Sequence, residues 1–182
     1  MNAVIFLTKG FEEMEAICVL DILLRADVNV ATVSVPGLRT VSGAHKIIIH
    51  ADKQFPEINF SEVDMLICPG GMPGAARLFA FRRLKKILVD FHKANKRIAA
   101  ICAAPAVVLA PLGILDGKEA TCYPGYEDKL VNSTISKKSV VTDGNVTTAK
   151  GPGVAQEFGL ELVRLLKGED AARKVAKDLC IK

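Results

Sequence analysis

Apolar positions in this chain fall into two alternating rhythms. Short, almost unbroken apolar runs at Ala3 to Leu7, Val28 to Val35, Val63 to Cys68 and Arg97 to Ile101 read as strands buried on both faces. Between them, Glu12 to Arg25, Arg82 to Ala94 and Ala103 to Leu112 repeat apolar residues at helical spacing. Strand–helix alternation of this kind predicts a parallel sheet covered on both sides. Arg39 to Val41 and Lys46 to His50 flank Ser42-Gly43-Ala44 and predict a small hairpin outside that sheet. Ser139 to Thr142 and Val146 to Thr148 flank Asp143-Gly144-Asn145, where Asp-Gly suits a tight turn, and predict a second. Gly151-Pro152-Gly153 then opens a helix to about Lys167, with proline where a missing N–H costs little, and a last helix runs from Glu169 to Leu179.

The 182 residues suit one compact domain, 1–182, burying roughly 70% of the unfolded chain's surface. No repeat or Gly/Ser/Pro-rich linker divides the chain. The apolar run at the amino terminus is too short for a signal-peptide core, and no stretch approaches the ~18 apolar residues of a membrane span, so a soluble, cytoplasmic protein is expected. Five cysteines, at 18, 68, 102, 122 and 180, are odd in number and widely spaced, with neither a Cys-x-x-Cys pair nor a histidine at metal-ligand spacing. Reduced thiols follow, with no metal and no cofactor expected. The formal net charge is +4, and seven Lys/Arg between Arg82 and Arg97 face only Asp90. Leu84, Ile87, Leu88 and Phe91 make these charges the wet side of an amphipathic helix, and no motif for sequence-specific nucleic-acid binding accompanies them.

Candidate chemistry collects where predicted strands end. The run Arg97 to Ile101 stops at Cys102 and a helix-compatible run follows at once, the pattern of a nucleophile elbow that sets a side chain beside unpaired helix N–H groups. The other strand-end loops are Thr8 to Glu15 and Cys68-Pro69-Gly70-Gly71-Met72-Pro73-Gly74, and in an open α/β sheet this edge binds ligands. Gly70-Gly71 with the N–H of Ala103 suits an oxyanion hole, and suits equally a tight turn that merely starts a helix. A phosphate-loop reading of Gly70-Gly71-x-x-Gly74 is incomplete. Glu12, Glu13 and Glu15 all suit the first turn of a helix, and periodicity does not select one; Glu15 is furthest inside, where a buried carboxyl tends to keep its proton. Cys68 and Cys122 read as inert interior thiols, and His45, His50 and His92 as surface or interface residues.

Lys9 to Glu15, Pro69-Gly70-Gly71, Ala99 to Pro105 and Lys150 to Gly153 together resemble the ThiJ/PfpI superfamily (class I glutamine amidotransferase-like), in its branch of parkinsonism-associated deglycase relatives. The resemblance runs nearly end to end. It implies a flavodoxin-like three-layer α/β sandwich with a mostly parallel sheet and small peripheral hairpins, and a homodimer. It further implies a reactive cysteine at Cys102, its acid partner at Glu15, and Gly70, Gly71, Ala103, Tyr123 and Pro152 around the oxyanion and substrate. The implied activity is a cofactor-independent glyoxalase or deglycase acting on methylglyoxal, glyoxal or early glycation adducts; the alternative is a redox-sensing, chaperone-like stress protein using the same cysteine. Ala103 stands where the protease-like branch has a histidine, so peptidase activity is not expected. Tyr123 stands where the animal branch also has a histidine, and a phenol is a poor base near neutral pH. Arg25 and His45 read as ordinary surface charges, with an anion site between them across a dimer contact as the lesser alternative.

Overall fold

The computed structural model describes residues 2–181. Along the chain come β1 (Asn2–Leu7), α1 (Glu13–Arg25), β2 (Asn29–Ser34), β3 (Thr40–Ser42), β4 (Ile48–His50), β5 (Lys53–Gln54), β6 (Met65–Cys68), α2 (Gly74–Ala80), α3 (Arg82–Lys93) and β7 (Arg97–Ile101). Then follow β8 (Glu119–Ala120), β9 (Thr134–Ile135), β10 (Val140–Asp143), β11 (Val146–Ala149), α4 (Ala155–Lys167) and α5 (Glu169–Asp178). Seven strands form one sheet in the order β10-β11-β7-β6-β1-β2-β5, parallel throughout except for β10 on the edge. Every residue of β6 and β11 is buried, as double coverage requires.

Two crossovers set the layers. The β1-α1-β2 connection moves toward the β5 edge, while β6-α2-α3-β7 moves toward the β10 edge. Right-handed crossovers in opposite directions place their helices on opposite faces. The helix α4 packs on α1 and α5 on α4, which completes one layer; α2, α3 and the segment after β7 form the other. The contact between α1 and α4 is close: a Cβ added at Gly159 would lie 2.9 Å from Ile22 Cδ1.

The flavodoxin-like sandwich agrees with the sequence pattern, and so do most elements. The first hairpin is a separate antiparallel pair, with Val41 opposite Ile49. The second also forms, but buried β11 pairs in parallel with β7, so this hairpin completes the main sheet. The expected helix Ala103 to Leu112 is instead a π-type turn, Pro105–Leu109, running into a 3-10 turn, Ala110–Leu112. Pro105 and Pro111 withhold two N–H donors, and Gly113 at φ 69° ends the segment. The helix expected from Gly151 begins as a 3-10 turn, Pro152–Val154, before α4. The seven-residue α2 and the short pair β8–β9 were not legible as periodic segments.

Candidate functional site

With β2 on one side of β1 and β6 on the other, the sheet reverses its winding between β1 and β6. That switch point opens a crevice at the carboxyl ends of the strands. The loops after β1 and β6 are stitched together there: Glu12 N–H donates to Gly70 O at 3.0 Å and Gly74 N–H to Gly10 O at 3.1 Å. The glycines make this approach possible. A Cβ at Gly71, whose φ is +82°, would lie 2.5 Å from Glu12 N, and one at Gly70 would lie 2.5 Å from Cys102 Cβ and 2.9 Å from Glu15 Oε2.

Cys102 occupies the turn after β7 with φ 65°, a left-handed conformation that a non-glycine residue holds at a cost of about 1–3 kcal/mol. Neighbouring strands and loops pin it from both sides. Its N–H donates to Ala149 O at 2.9 Å, and its carbonyl accepts from Tyr123 N–H at 2.8 Å. The residue is only 8% exposed, so the sulfur is largely shielded from solvent. The backbone N–H groups of Gly71 and Ala103 lie close enough to that sulfur to favour its anion. Glu15, 1% exposed, enters from the first turn of α1. Its Oε2 accepts the Gly70 N–H at 2.7 Å, and its carboxyl meets the Cys102 side chain. Oε1 receives no donor of good geometry from the described residues.

Burial pushes Glu15 up to about 7, against the hydrogen bonds from Cys102 and Gly70 that pull it down. Burial, and then the negative charge of Glu15, push the Cys102 thiol up to about 12, with the Gly71 and Ala103 N–H groups pulling back. A second adjacent anion is what costs so much, so the pair ionises once near neutrality and holds one shared proton across a wide pH range. Taken alone, these two values leave the charge on the carboxyl; the donor geometry argues the other way. A thiolate would accept from Gly71, Ala103 and a protonated Oε1, and the carboxyl would keep Oε2 for Gly70. A neutral thiol, a poor acceptor, would waste two nearby N–H groups. The donor count favours the shared proton on Glu15.

Of the residues singled out from sequence, Cys102, Glu15, Gly70, Gly71 and Ala103 converge. The Gly70 N–H is taken by Glu15, so Gly70 is not a free oxyanion donor as expected; it positions the acid. Tyr123 clamps the Cys102 carbonyl through its backbone, while its 44% exposed side chain packs over Gly151. Pro152 lines an apolar groove of about 720 Å³ with Met14, Ile17, Ile47 and Ile49. A separate groove of about 400 Å³ between β10, α4 and α5 contains no nucleophile, and its Glu161 and Arg164 pair at 2.6 Å. Cys68 is sealed in the core and burial pushes its thiol up to about 12; burial also pushes Cys122 up, to about 11.

Glu13 has a role that periodicity did not reveal. Buried in the first turn of α1, it accepts His45 N–H at 2.7 Å and Ile47 N–H at 3.4 Å through Oε1, and pairs with His45 Nδ1 at 2.9 Å through Oε2. The result is a latch tying the β3–β4 hairpin to the site. Its signal in the sequence was Gly43, whose missing side chain is the space Glu13 fills. Glu12, Glu13 and His45 bring possible metal-ligand atoms within 4.8 Å of one another, but the contacts they make are a mutual ion pair. His45 thus pairs with two acids, and Arg25 with Asp21 at 2.7 Å, in keeping with ordinary surface charges.

This arrangement has close counterparts. The profile of the DJ-1/PfpI family matches residues 1–165. The chain belongs to the DJ-1/PfpI family. Protein DJ-1 homolog A of Arabidopsis thaliana is 39% identical over 166 residues, covering 91% of this chain. The chain spans 42% and 39% of the lengths of the two Arabidopsis relatives, homologs A and B. The Parkinson disease protein 7 homolog of Danio rerio is 34% identical over 185 residues, covering 100% of this chain and 97% of the relative. The solved structure of Toxoplasma gondii DJ-1, oxidized, superposes with a TM-score of 0.95 at 33% identity, covering 98% of this chain and 97% of that one. Among the described residues no helix of this DJ-1/PfpI member is long and apolar enough to cross a membrane.

Proposed function

We propose that this DJ-1/PfpI chain is a cofactor-independent glyoxalase or deglycase acting on methylglyoxal, glyoxal or early glycation adducts. The observation that carries the reading is the buried Cys102–Glu15 pair, with the Gly71 and Ala103 N–H groups beside the sulfur. The Cys102 thiolate adds to the aldehyde carbon of methylglyoxal, and Glu15 protonates the resulting alkoxide, giving a hemithioacetal. Glu15, now a carboxylate, removes the hydrogen on that carbon; the electron pair forms an enediolate. Reprotonation at the neighbouring carbon gives the lactoyl thioester, and water releases lactate and the thiol. No electrons enter or leave overall. The Ala103 and Gly71 N–H groups, holding the sulfur at rest, are donors for the developing oxyanion. Peptidase chemistry lacks its third member, because none of His45, His50 and His92 is in contact with the Cys102–Glu15 pair among the described residues.

The decisive experiment follows methylglyoxal loss and lactate formation together for the wild type, Cys102→Ser and Glu15→Gln. Product acid must form with the wild type and fall to background in the serine variant; equal rates would sink the proposal.

A second reading, redox sensing without turnover, is favoured by the same N–H groups, which would hold a sulfinate at Cys102. The oxidized state named for the Toxoplasma relative is in keeping with it. Mild peroxide should then add two oxygens at Cys102 selectively, and uniform oxidation of all five cysteines would count against it. Exposed Met14, Ile47 and Ile48 around the apolar groove support a homodimer, to be checked by sedimentation. Five free thiols support a reducing, cytoplasmic setting.

A further inference from the structure

We infer that Tyr123 is a stacking platform beside Cys102 that selects α-oxoaldehydes carrying a flat aromatic group, the arylglyoxals, over methylglyoxal. The substrate class rests on the activity proposed above; the platform rests on geometry. The chain has two tyrosines and no tryptophan, and both tyrosines lie in the segment Tyr123-Pro124-Gly125-Tyr126. Among the described residues Tyr123 is the one aromatic side chain among the exposed large apolar ones. It stands a single hydrogen bond from the reactive cysteine, its N–H donating to Cys102 O at 2.8 Å.

The backbone makes the segment a fixed ledge. Pro124 and then Gly125, at φ 90°, suit the two central positions of a type II turn, which Tyr126 N–H closes by donating to Tyr123 O at 3.1 Å. Gly125 N–H donates to Glu127 Oε2 at 2.7 Å, which fastens the turn from outside. The two tyrosine rings meet edge to face, with centres 6.3 Å apart, and Lys129 Nζ lies 4.9 Å from the centre of the Tyr126 ring. Tyr126 is thereby engaged as a prop for Tyr123. Gly151 supplies the seat: a Cβ there would lie 3.1 Å from Tyr123 Cδ2. The φ of Gly151, 167°, is extended backbone open to any residue, so it is the ring that calls for glycine.

Strand order sets the ring's side of the sulfur. The strand that ends at Cys102, β7, lies between β6 and β11. Glu15 and Gly70 reach Cys102 from the β1 and β6 side, while Cys102 N–H donates to Ala149 O at the end of β11, two residues before Gly151. The acid holds one flank and Tyr123 stands on the other. A substrate held by its aldehyde carbon carries its substituent on the next carbon. A methyl group offers no face to a ring, whereas an aryl group meets one at the ~4.5–7 Å between centres where aromatic pairs attract. Phenylglyoxal would take up water and become mandelate as methylglyoxal becomes lactate, with no electrons entering or leaving.

The test uses the two product acids as probes, which frees it from turnover. Alkylation of Cys102 in the full chain by iodoacetamide, read by mass spectrometry on its own peptide, is followed with mandelate or lactate present. Mandelate should protect at a concentration about three- to tenfold below that of lactate, the factor of one aromatic pair. Tyr123→Ala should erase this preference, and Tyr123→Phe, which keeps the ring, should retain it. Gly151→Ala, which pushes the ring off its seat without touching Cys102 or Glu15, should narrow it, and takes the place of Tyr123→Ala if circular dichroism shows that variant unfolded. With no tryptophan in the chain, tyrosine emission reports on this turn alone, and mandelate should quench it where lactate does not. In turnover, the kcat/KM ratio of phenylglyoxal to methylglyoxal should fall by the same factor in Tyr123→Ala. Equal protection by the two acids, a preference that survives Tyr123→Ala, or one that is lost in Tyr123→Phe would each overturn the inference. Selective protection without turnover would sink the proposed activity and leave the platform standing.

Discussion

Replacing Glu15 by Gln keeps the side chain's size and an oxygen for the Gly70 N–H at 2.7 Å, and changes only the group facing the sulfur. An O–H donor becomes an amide N–H that has no proton to give. Both donors bond an ion, at about 1.5–3 kcal/mol, but an amide N–H is a far weaker acid than a carboxyl O–H, so the thiolate loses on the order of 1 kcal/mol of stabilisation. At 1.36 kcal/mol per pKa unit, its apparent pKa rises by about one. In the wild type the first proton of the pair leaves at or below about 7, because either group can release it and Glu15 alone does so near that value. The assay is the pH dependence of iodoacetamide alkylation, read by mass spectrometry on the peptide carrying Cys102 so that the other four thiols do not interfere. A wild-type midpoint near 12 that falls on substitution would show that the charge rests on the carboxyl, and would refute the proton assignment. Turnover needs thiolate and protonated acid together, so it should rise as pH passes the first ionisation and fall only toward about 12.

Gly70→Ala would push a methyl group between Cys102 and Glu15, at 2.5 and 2.9 Å, so Cys102 alkylation should slow at least tenfold, with ~1–3 kcal/mol lost in denaturant melts. Cys102→Gly should melt above Cys102→Ala by about 1 kcal/mol, since only glycine holds φ 65° without strain; an equal stability would show the elbow to be relaxed. Burial opposes ionisation of Glu13, but hydrogen bonds from His45 and from the backbone hold its pKa below the ordinary 4.5, while Glu13 and Glu12 raise His45 above the ordinary 6.5. A depressed acid loses its contribution as pH falls through its folded pKa, and a raised histidine loses its own as pH climbs through the folded value. Glu13→Gln should therefore cost most between pH 4.5 and 6.5, with the gap in melting temperature narrowing on either side.

Much of this was legible because apolar runs and turn residues act locally. The run ending at Ile101 announced both a central strand and the elbow at Cys102, and Leu84, Leu88 and Phe91 fixed α3 and its orientation. What escaped depended on partners distant in sequence. Periodicity left Glu12, Glu13 and Glu15 equivalent. In the fold, two of them are buried, one serving the sulfur and the other the hairpin, and only the position of Gly43 against Glu13 separates those fates. Gly70 looked like a free donor because spacing says nothing of a carboxylate arriving from α1. The segment after Cys102 kept helical periodicity but lost two donors at Pro105 and Pro111, and backbone chemistry overrode the pattern.

The glycine-stitched seam between the β1 and β6 loops makes the sulfur's environment a late product of folding. Until the central strands have met, Cys102 is one ordinary cysteine among five, with neither acid nor amide donors beside it. Chemical modification of nascent or partly unfolded chains should thus be indiscriminate, and selectivity for this position should emerge only on completion of the sheet. The protein carries its own gauge of nativeness, readable with a small alkylating reagent and no added label.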